Sequence, residues 1–185
     1  DISHWFLTDD SVILNKYKYA KEKFPCIEEE IIPTNGIQTS KNDVYKIPKN
    51  TIVSNENGVV TFIKDGQEFK AEIELLREYY LPSKSDGANK SYQNLKSTNY
   101  VIFPYINGKI IHEEEMKENY PNTLRYLHHF KDKLLPKSLG GKRDVRGSEG
   151  DFEWYQYGRS QALREVDKEK IIVGVLSREP NFNID

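Results

Sequence analysis

The sequence predicts an α+β fold: a mixed sheet with packed helices in one domain, preceded by a helix that links or docks. Three observations carry that expectation. Helical and strand-like patterns succeed one another without the regular strand–helix alternation of a parallel α/β sheet. Glycine turn signals divide the middle of the chain at hairpin spacing. The 185 residues are 37% hydrophobic, with 12 Tyr and 8 Phe, which is enough for a single core.

Residues 9–24 read as an amphipathic helix, because Ile13, Tyr17, Ala20 and Phe24 recur with a 3.6-residue period. Asp9, Asp10 or Ser11 caps its start and Pro25 closes it. The acidic run Glu28–Glu30 follows. The expected division is a linker or docking helix over 1–30 and a single domain over 31–185.

From Gly36 the pattern turns to β. Asp43–Ile47 alternates polar and apolar up to Pro48. Val59–Ile63 and Glu68–Ile73 flank the Asp65-Gly66 turn and predict a hairpin. Glu74–Tyr80 reads as a short helix, and the polar stretch 84–96 as a loop. Tyr100–Tyr105 is an aromatic strand whose Pro104 predicts an edge position or a strand end. Asn107-Gly108 turns the chain into Lys109–Ile111. Glu113–Asn119 and Asn122–Leu135 predict helices, the second buried through Leu124, Leu127, Leu134 and Leu135 and stopped by Pro136. Residues 137–151, with four glycines, read as a flexible basic loop. Trp154–Tyr157, a turn or short helix over Arg159–Leu163 and a strand over Lys170–Leu176 complete the chain. Trp154, Tyr155, Phe103 and Tyr105 are expected in the core, since strand aromatics normally face inward.

Several classes of function are disfavoured. No run approaches the roughly 18 apolar residues of a membrane span. No basic-then-apolar leader opens the chain, and the single Cys26 rules out an internal disulfide framework. A cytoplasmic protein is expected. The chain opens at Asp1 without an initiator Met and stops just after an apolar run, so a piece of a larger polypeptide is expected. Gly140-Gly141-Lys142 lacks the spacing of a phosphate loop. His128 and His129 are adjacent and point about 100° apart on a helix, so they do not share a metal; His4 and His112 have no Cys or His neighbours. Asp65, Glu72 and Glu74 with Lys70 are the residues a metal-dependent nuclease would need. A methyltransferase acting on adenine N6 needs a glycine-rich turn for its methyl donor and an Asn/Asp-Pro-Pro-aromatic loop, and neither is present. No catalytic centre and no cofactor are expected in this chain.

Charge points elsewhere. The net charge is −2, yet Arg125–Arg146 holds seven Lys or Arg against two acids. A basic face on an acidic body, or a solvated helix followed by a charged loop, gives this asymmetry.

Three segments, in this order, carry a resemblance. Gly36-Ile37-Gln38-Thr39-Ser40-Lys41-Asn42-Asp43-Val44-Tyr45 opens it. Tyr100–Tyr105, with Tyr120-Pro121 and Leu124–Leu135, forms its middle. Trp154-Tyr155, Gly158-Arg159 and Gln161, followed by Lys170–Val173, close it. Together they resemble the TaqI-like C-terminal specificity domain of adenine-N6 DNA methyltransferases in type II restriction-modification systems. The likeness spans about residues 28–180.

The resemblance implies a role in choosing the target sequence on double-stranded DNA. It also implies an N-terminal methyltransferase domain in the same polypeptide, using S-adenosylmethionine, with or without a fused endonuclease. Lys137, Lys142, Arg143 and Arg146 are then the expected phosphate contacts, one arginine being suited to guanine. Thr39, Ser40, Lys41 and Asn42 either bind phosphate or satisfy their own turn. Arg159 and Gln161 have the chemistry to read guanine and adenine, but their place in a motif that the resemblance shares across different targets favours a phosphate or scaffold role over base readout. A protein-interaction scaffold and the metal-dependent nuclease are the rival readings.

Overall fold

The chain divides into two units, residues 1–35 and 36–185. The computed structural model describes residues 10–24, 33–80, 97–146, 152–173 and 182–184. In the first unit helix α1 (Ser11–Lys23) starts on Asp10, whose carboxylate accepts from the N–H groups of Val12 and Ile13 at 2.8 and 3.4 Å. This side-chain cap occupies two of the donors that a helix start leaves over. Among the described residues no helix is long and apolar enough to cross a membrane.

The second unit is α+β, but its strands form separate antiparallel sheets, not one mixed sheet. In the first, β6 (Asn99–Ile102) lies between β1 (Lys46–Pro48) and β5 (Leu76–Tyr79). In the second, β2 (Ile52–Glu56), β3 (Val59–Lys64) and β4 (Gln67–Glu72) run as a meander. Two further pairs are β7 (Tyr105–Ile106) with β8 (Lys109–Ile110), and β9 (Ile171–Val173) with β10 (Phe182–Ile184). Three two-residue turns, Asn57-Gly58, Asp65-Gly66 and Asn107-Gly108, have positive φ at both positions. That conformation matches the strand twist, which is why Asn-Gly and Asp-Gly serve there.

Three expectations are corrected, and the two alternatives for Pro104 are decided. Asn42–Tyr45 is one helical turn (α2), with the strand starting only at Lys46. Val44 and Tyr45 are both fully buried, which a period-two strand facing one core does not achieve. Residues 73–79 are a 3-10 turn, Ile73–Leu75, and strand β5, not a helix, because pairing with β6 overrides local propensity. β6 is central in its sheet and ends before Pro104, so the proline marks a strand end and not an edge. Of the 137–151 loop, residues 137–146 are tied down by Lys137 N–H to the Arg143 carbonyl and Gly141 N–H to the Pro136 carbonyl, and 147–151 lie outside the described residues. The 84–96 loop lies outside the described residues.

Helices α3 (Glu113–Asn119), α4 (Pro121–His129) and α5 (Lys131–Leu134) follow β8. The second expected helix is thus broken at Phe130, whose φ of −104° and ψ of 18° leave the helical region. Helix α4 begins without a side-chain cap of its own. Glu72, at the end of β4, supplies one. Its Oε1 accepts from the Asn122 backbone and side-chain amides at 2.9 and 2.8 Å. Its Oε2 accepts from the Thr123 N–H and hydroxyl at 2.8 and 2.5 Å. Sheet and helix are thereby locked in register, and Phe69 of β4 packs edge-on against Tyr126 of α4 at 5.2 Å.

The core between these layers is rich in buried tyrosines, each with its hydroxyl bonded to backbone. Tyr45 donates to the Tyr155 carbonyl, Tyr155 to Ile111, Tyr157 to Ile102 and Tyr126 to Val44. Tyr105 accepts from the Tyr157 N–H at 2.5 Å. Phe103, Tyr105, Trp154 and Tyr155 are all at most 5% exposed, as expected of core aromatics.

Candidate nucleic-acid interface

Three strips of backbone far apart in sequence meet beside this core. Segment 156–159 lies against residues 38–39, with Gly158 N–H donating to the Thr39 carbonyl at 3.2 Å and Arg159 N–H to that of Gln38 at 3.3 Å. On its other side Arg146 N–H donates to the Gly158 carbonyl at 3.1 Å. Gly158 is required by this close approach: a Cβ there would sit 2.5 Å from that of Ser40. The junction thus joins the opening segment, the basic loop and the closing segment read in the sequence.

Arg143 holds the junction together from within. It is 5% exposed. Its Nε donates to the Leu134 carbonyl at 2.6 Å, Nη1 to Gln156 at 2.8 Å and Thr39 at 3.2 Å, and Nη2 to Trp154 at 2.8 Å. All three guanidinium nitrogens are engaged. The expectation that Arg143 contacts phosphate is therefore corrected: it ties the end of α5 to both flanking segments. Its guanidinium also faces the Tyr45 ring, 5.9 Å from the centroid. Burial pushes the Tyr45 hydroxyl up to about 12, although the positive charge and hydrogen bonding of Arg143 pull the other way.

Thr39 is likewise internal, 2% exposed, its hydroxyl donating to Asn42 Oδ1 at 2.6 Å and accepting from the Lys41 N–H at 3.0 Å. Of the two readings of this turn, Thr39 follows the one in which it satisfies its own backbone. Ser40 sits at the surface with φ of 58°, Asn42 is exposed, and Lys41 pairs with Asp43 at 3.3 Å. Arg159 braces the junction from outside, donating to the Gly158 carbonyl at 2.7 Å and pairing with Asp144 at 3.1 Å. Gln161 has a buried Nε2 that no protein acceptor reaches.

Of the four expected phosphate contacts, Lys137, Lys142 and Arg146 are left at the surface. Among the described residues none of the three is paired with an acid. Arg143 and the backbone ladder hold the loop that carries them, so their Cα positions are fixed while their heads stay in solvent. Sequence reasoning missed Lys109 and Arg164, which are 55 residues apart yet share a cleft with Arg146. Only the folding of the β7–β8 turn onto segment 160–164 reveals that neighbourhood.

The carboxylates of the nuclease reading do not form a free set. Both oxygens of Glu72 are filled by the Thr123 and Asn122 donors. Burial works to raise its pKa, but the Thr123 hydroxyl and the Thr123 and Asn122 N–H groups outweigh burial and hold it below the usual range. Among the described residues no three His, Cys, Asp or Glu side chains converge as metal ligands. His128 bonds Glu113 at 2.8 Å and packs on the Trp154 ring, whose indole N–H donates to the same Glu113. His112 bonds Glu153 at 3.0 Å.

Over 157 residues, 82% of its length, the chain is 38% identical to the type II restriction enzyme and methyltransferase RM.Eco57I of Escherichia coli. The chain is related to a region of a restriction-modification enzyme. It spans only 15% of the length of RM.Eco57I, so the likeness concerns one region of that protein. No protein-family model matches the chain, and no solved structure matches it.

Proposed function

We propose that residues 36–185 form a DNA target-recognition domain of the TaqI-like kind, serving an adenine-N6 methyltransferase in a restriction-modification system. The observation that carries this reading is the set of unpaired cations Lys137, Lys142 and Arg146 on an ordered loop. That loop is bonded to the opening and closing segments of the three that carry the resemblance. The likeness to RM.Eco57I supports it independently.

In this reading the chain holds duplex DNA and chooses where the reaction occurs, while another part of the same polypeptide binds S-adenosylmethionine and transfers the methyl group. Lys137, Lys142 and Arg146 neutralise phosphates and set the register of the duplex. Ser40, Lys41, Asn42 and the outer edge of Arg159 border the same junction and extend the contact. Arg143 and Thr39 act beneath the surface by fixing its shape. An electrophoretic mobility shift with a mixed-sequence duplex at low salt tests the reading. A retarded complex that disappears as salt rises is expected; free duplex at every protein concentration would overturn it.

A further inference from the structure

The hairpin turn between β7 and β8, the end of the basic loop and segment 156–164 enclose a cleft of about 140 Å³. Three cations line it, Lys109, Arg146 and Arg164, together with Ser160 and Gln156, and no carboxylate does. In a chain with more acidic than basic residues, a cleft with three positive and no negative side chains is an unusual concentration of charge. None of these cations is paired with an acid among the described residues.

The cleft is also built. Asn107 and Gly108 turn at φ of 52° and 76°, and the turn packs directly on Arg164: a Cβ at Gly108 would overlap Arg164 Cγ. The stem of Arg164 is therefore fixed by the turn. Arg146 is fixed through its N–H to the Gly158 carbonyl. Lys109 directly follows the turn, in β8. Cations and a hydroxyl held in a concave wall form the donor set that a phosphate group takes.

We propose that this cleft is a phosphate-binding subsite that seats one backbone phosphate of duplex DNA. It rests on the target-recognition reading for the source of the phosphate, and on the cleft alone for the chemistry. The contact would extend the grip of the basic loop, Lys109 and Arg164 adding to Arg146 two cations from outside that loop.

Two titrations on the 185-residue chain test it, one with inorganic phosphate at fixed ionic strength and one with a mixed-sequence duplex. Phosphate is expected to shift the backbone amide resonances of Gly108, Ser160 and Arg164 saturably, and Lys109→Ala with Arg164→Ala to abolish those shifts. For the duplex, the double variant is expected to lower the log–log salt slope by about one unit for each phosphate it no longer neutralises. Absent shifts, or equal shifts in the double variant, would refute the phosphate site. A wild-type chain that binds duplex, with an unchanged slope in the double variant, would remove the cleft from the DNA contact while leaving the target-recognition reading standing. Phosphate shifts in a chain that ignores duplex would overturn DNA as the source and keep the phosphate chemistry.

Discussion

Arg143 donates through one nitrogen to the carbonyls of Thr39 and Gln156, which lie 117 residues apart, at 3.2 and 2.8 Å. With its bonds to Leu134 and Trp154, this one guanidinium fixes the surface on which the exposed cations stand. Its sequence neighbourhood groups it with the expected phosphate contacts; the fold buries it beneath them.

Replacing Arg143 should therefore act on stability first. Arg143→Ala leaves the buried carbonyls of Leu134, Gln156 and Trp154 without this donor and that of Thr39 with the Gly158 N–H alone, which costs on the order of 3 kcal/mol or more. Arg143→Lys should not restore it, because one ammonium cannot reproduce the planar fork. Urea unfolding of both variants measures this. A midpoint within error of wild type for Arg143→Ala would place the residue outside the scaffold.

Glu72 predicts a pH dependence. Its carboxyl is held below the usual range by the Thr123 and Asn122 donors, despite its burial. A lowered folded-state value means that its contribution is complete above the unfolded value of about 4.3 and is lost as pH falls through the folded one. Glu72→Gln should cost about 1–3 kcal/mol at neutral pH and flatten the acid limb of the stability curve. Parallel acid limbs for wild type and variant would contradict this.

The buried tyrosines predict the opposite limb. Burial raises Tyr45, Tyr105, Tyr126, Tyr155 and Tyr157 above the ordinary value, Tyr45 to about 12. Raised values favour the folded state below pH about 10 and withdraw that support as pH climbs toward the folded values. Tyrosinate absorbance should therefore include a component that rises cooperatively with the loss of near-ultraviolet circular dichroism. A smooth titration of all tyrosines near pH 10, with the fold intact, would argue against the buried hydroxyl network.

Gly158 and Ser40 predict a compensating pair. Gly158→Ala brings its Cβ against the Ser40 side chain and should cost about 1–3 kcal/mol. Ser40→Gly removes that side chain at a residue with φ of 58°. It should restore most of the stability when combined with Gly158→Ala. Thermal melts of the two single variants and the double variant decide, and strict additivity of the two effects would exclude the contact.

Much of the fold is legible in the sequence because its signals are local. Asp65-Gly66 and Asn107-Gly108 announce their hairpins through φ alone, and the period of Leu124 and Leu127 marks the buried face of α4. Asn57-Gly58 carries the same local signal for the β2–β3 turn. The candidate site is less legible because burial of a cation is a tertiary fact. Arg143 and Lys142 are neighbours in one glycine-containing loop, and nothing local says that the carbonyls of Leu134, Trp154, Gln156 and Thr39 will converge on the first and leave the second in solvent. Arg164 and Lys109 stay hidden in the sequence for the same reason.

In the proposed function, the exposed cations on this loop hold a duplex. Its most direct test is the salt dependence of duplex affinity in wild type and in the combined Lys137→Ala, Lys142→Ala, Arg146→Ala variant, followed by fluorescence anisotropy. A melting temperature close to wild type and a log–log slope shallower by about 2–3 units are expected. Equal slopes in two equally stable proteins would contradict it.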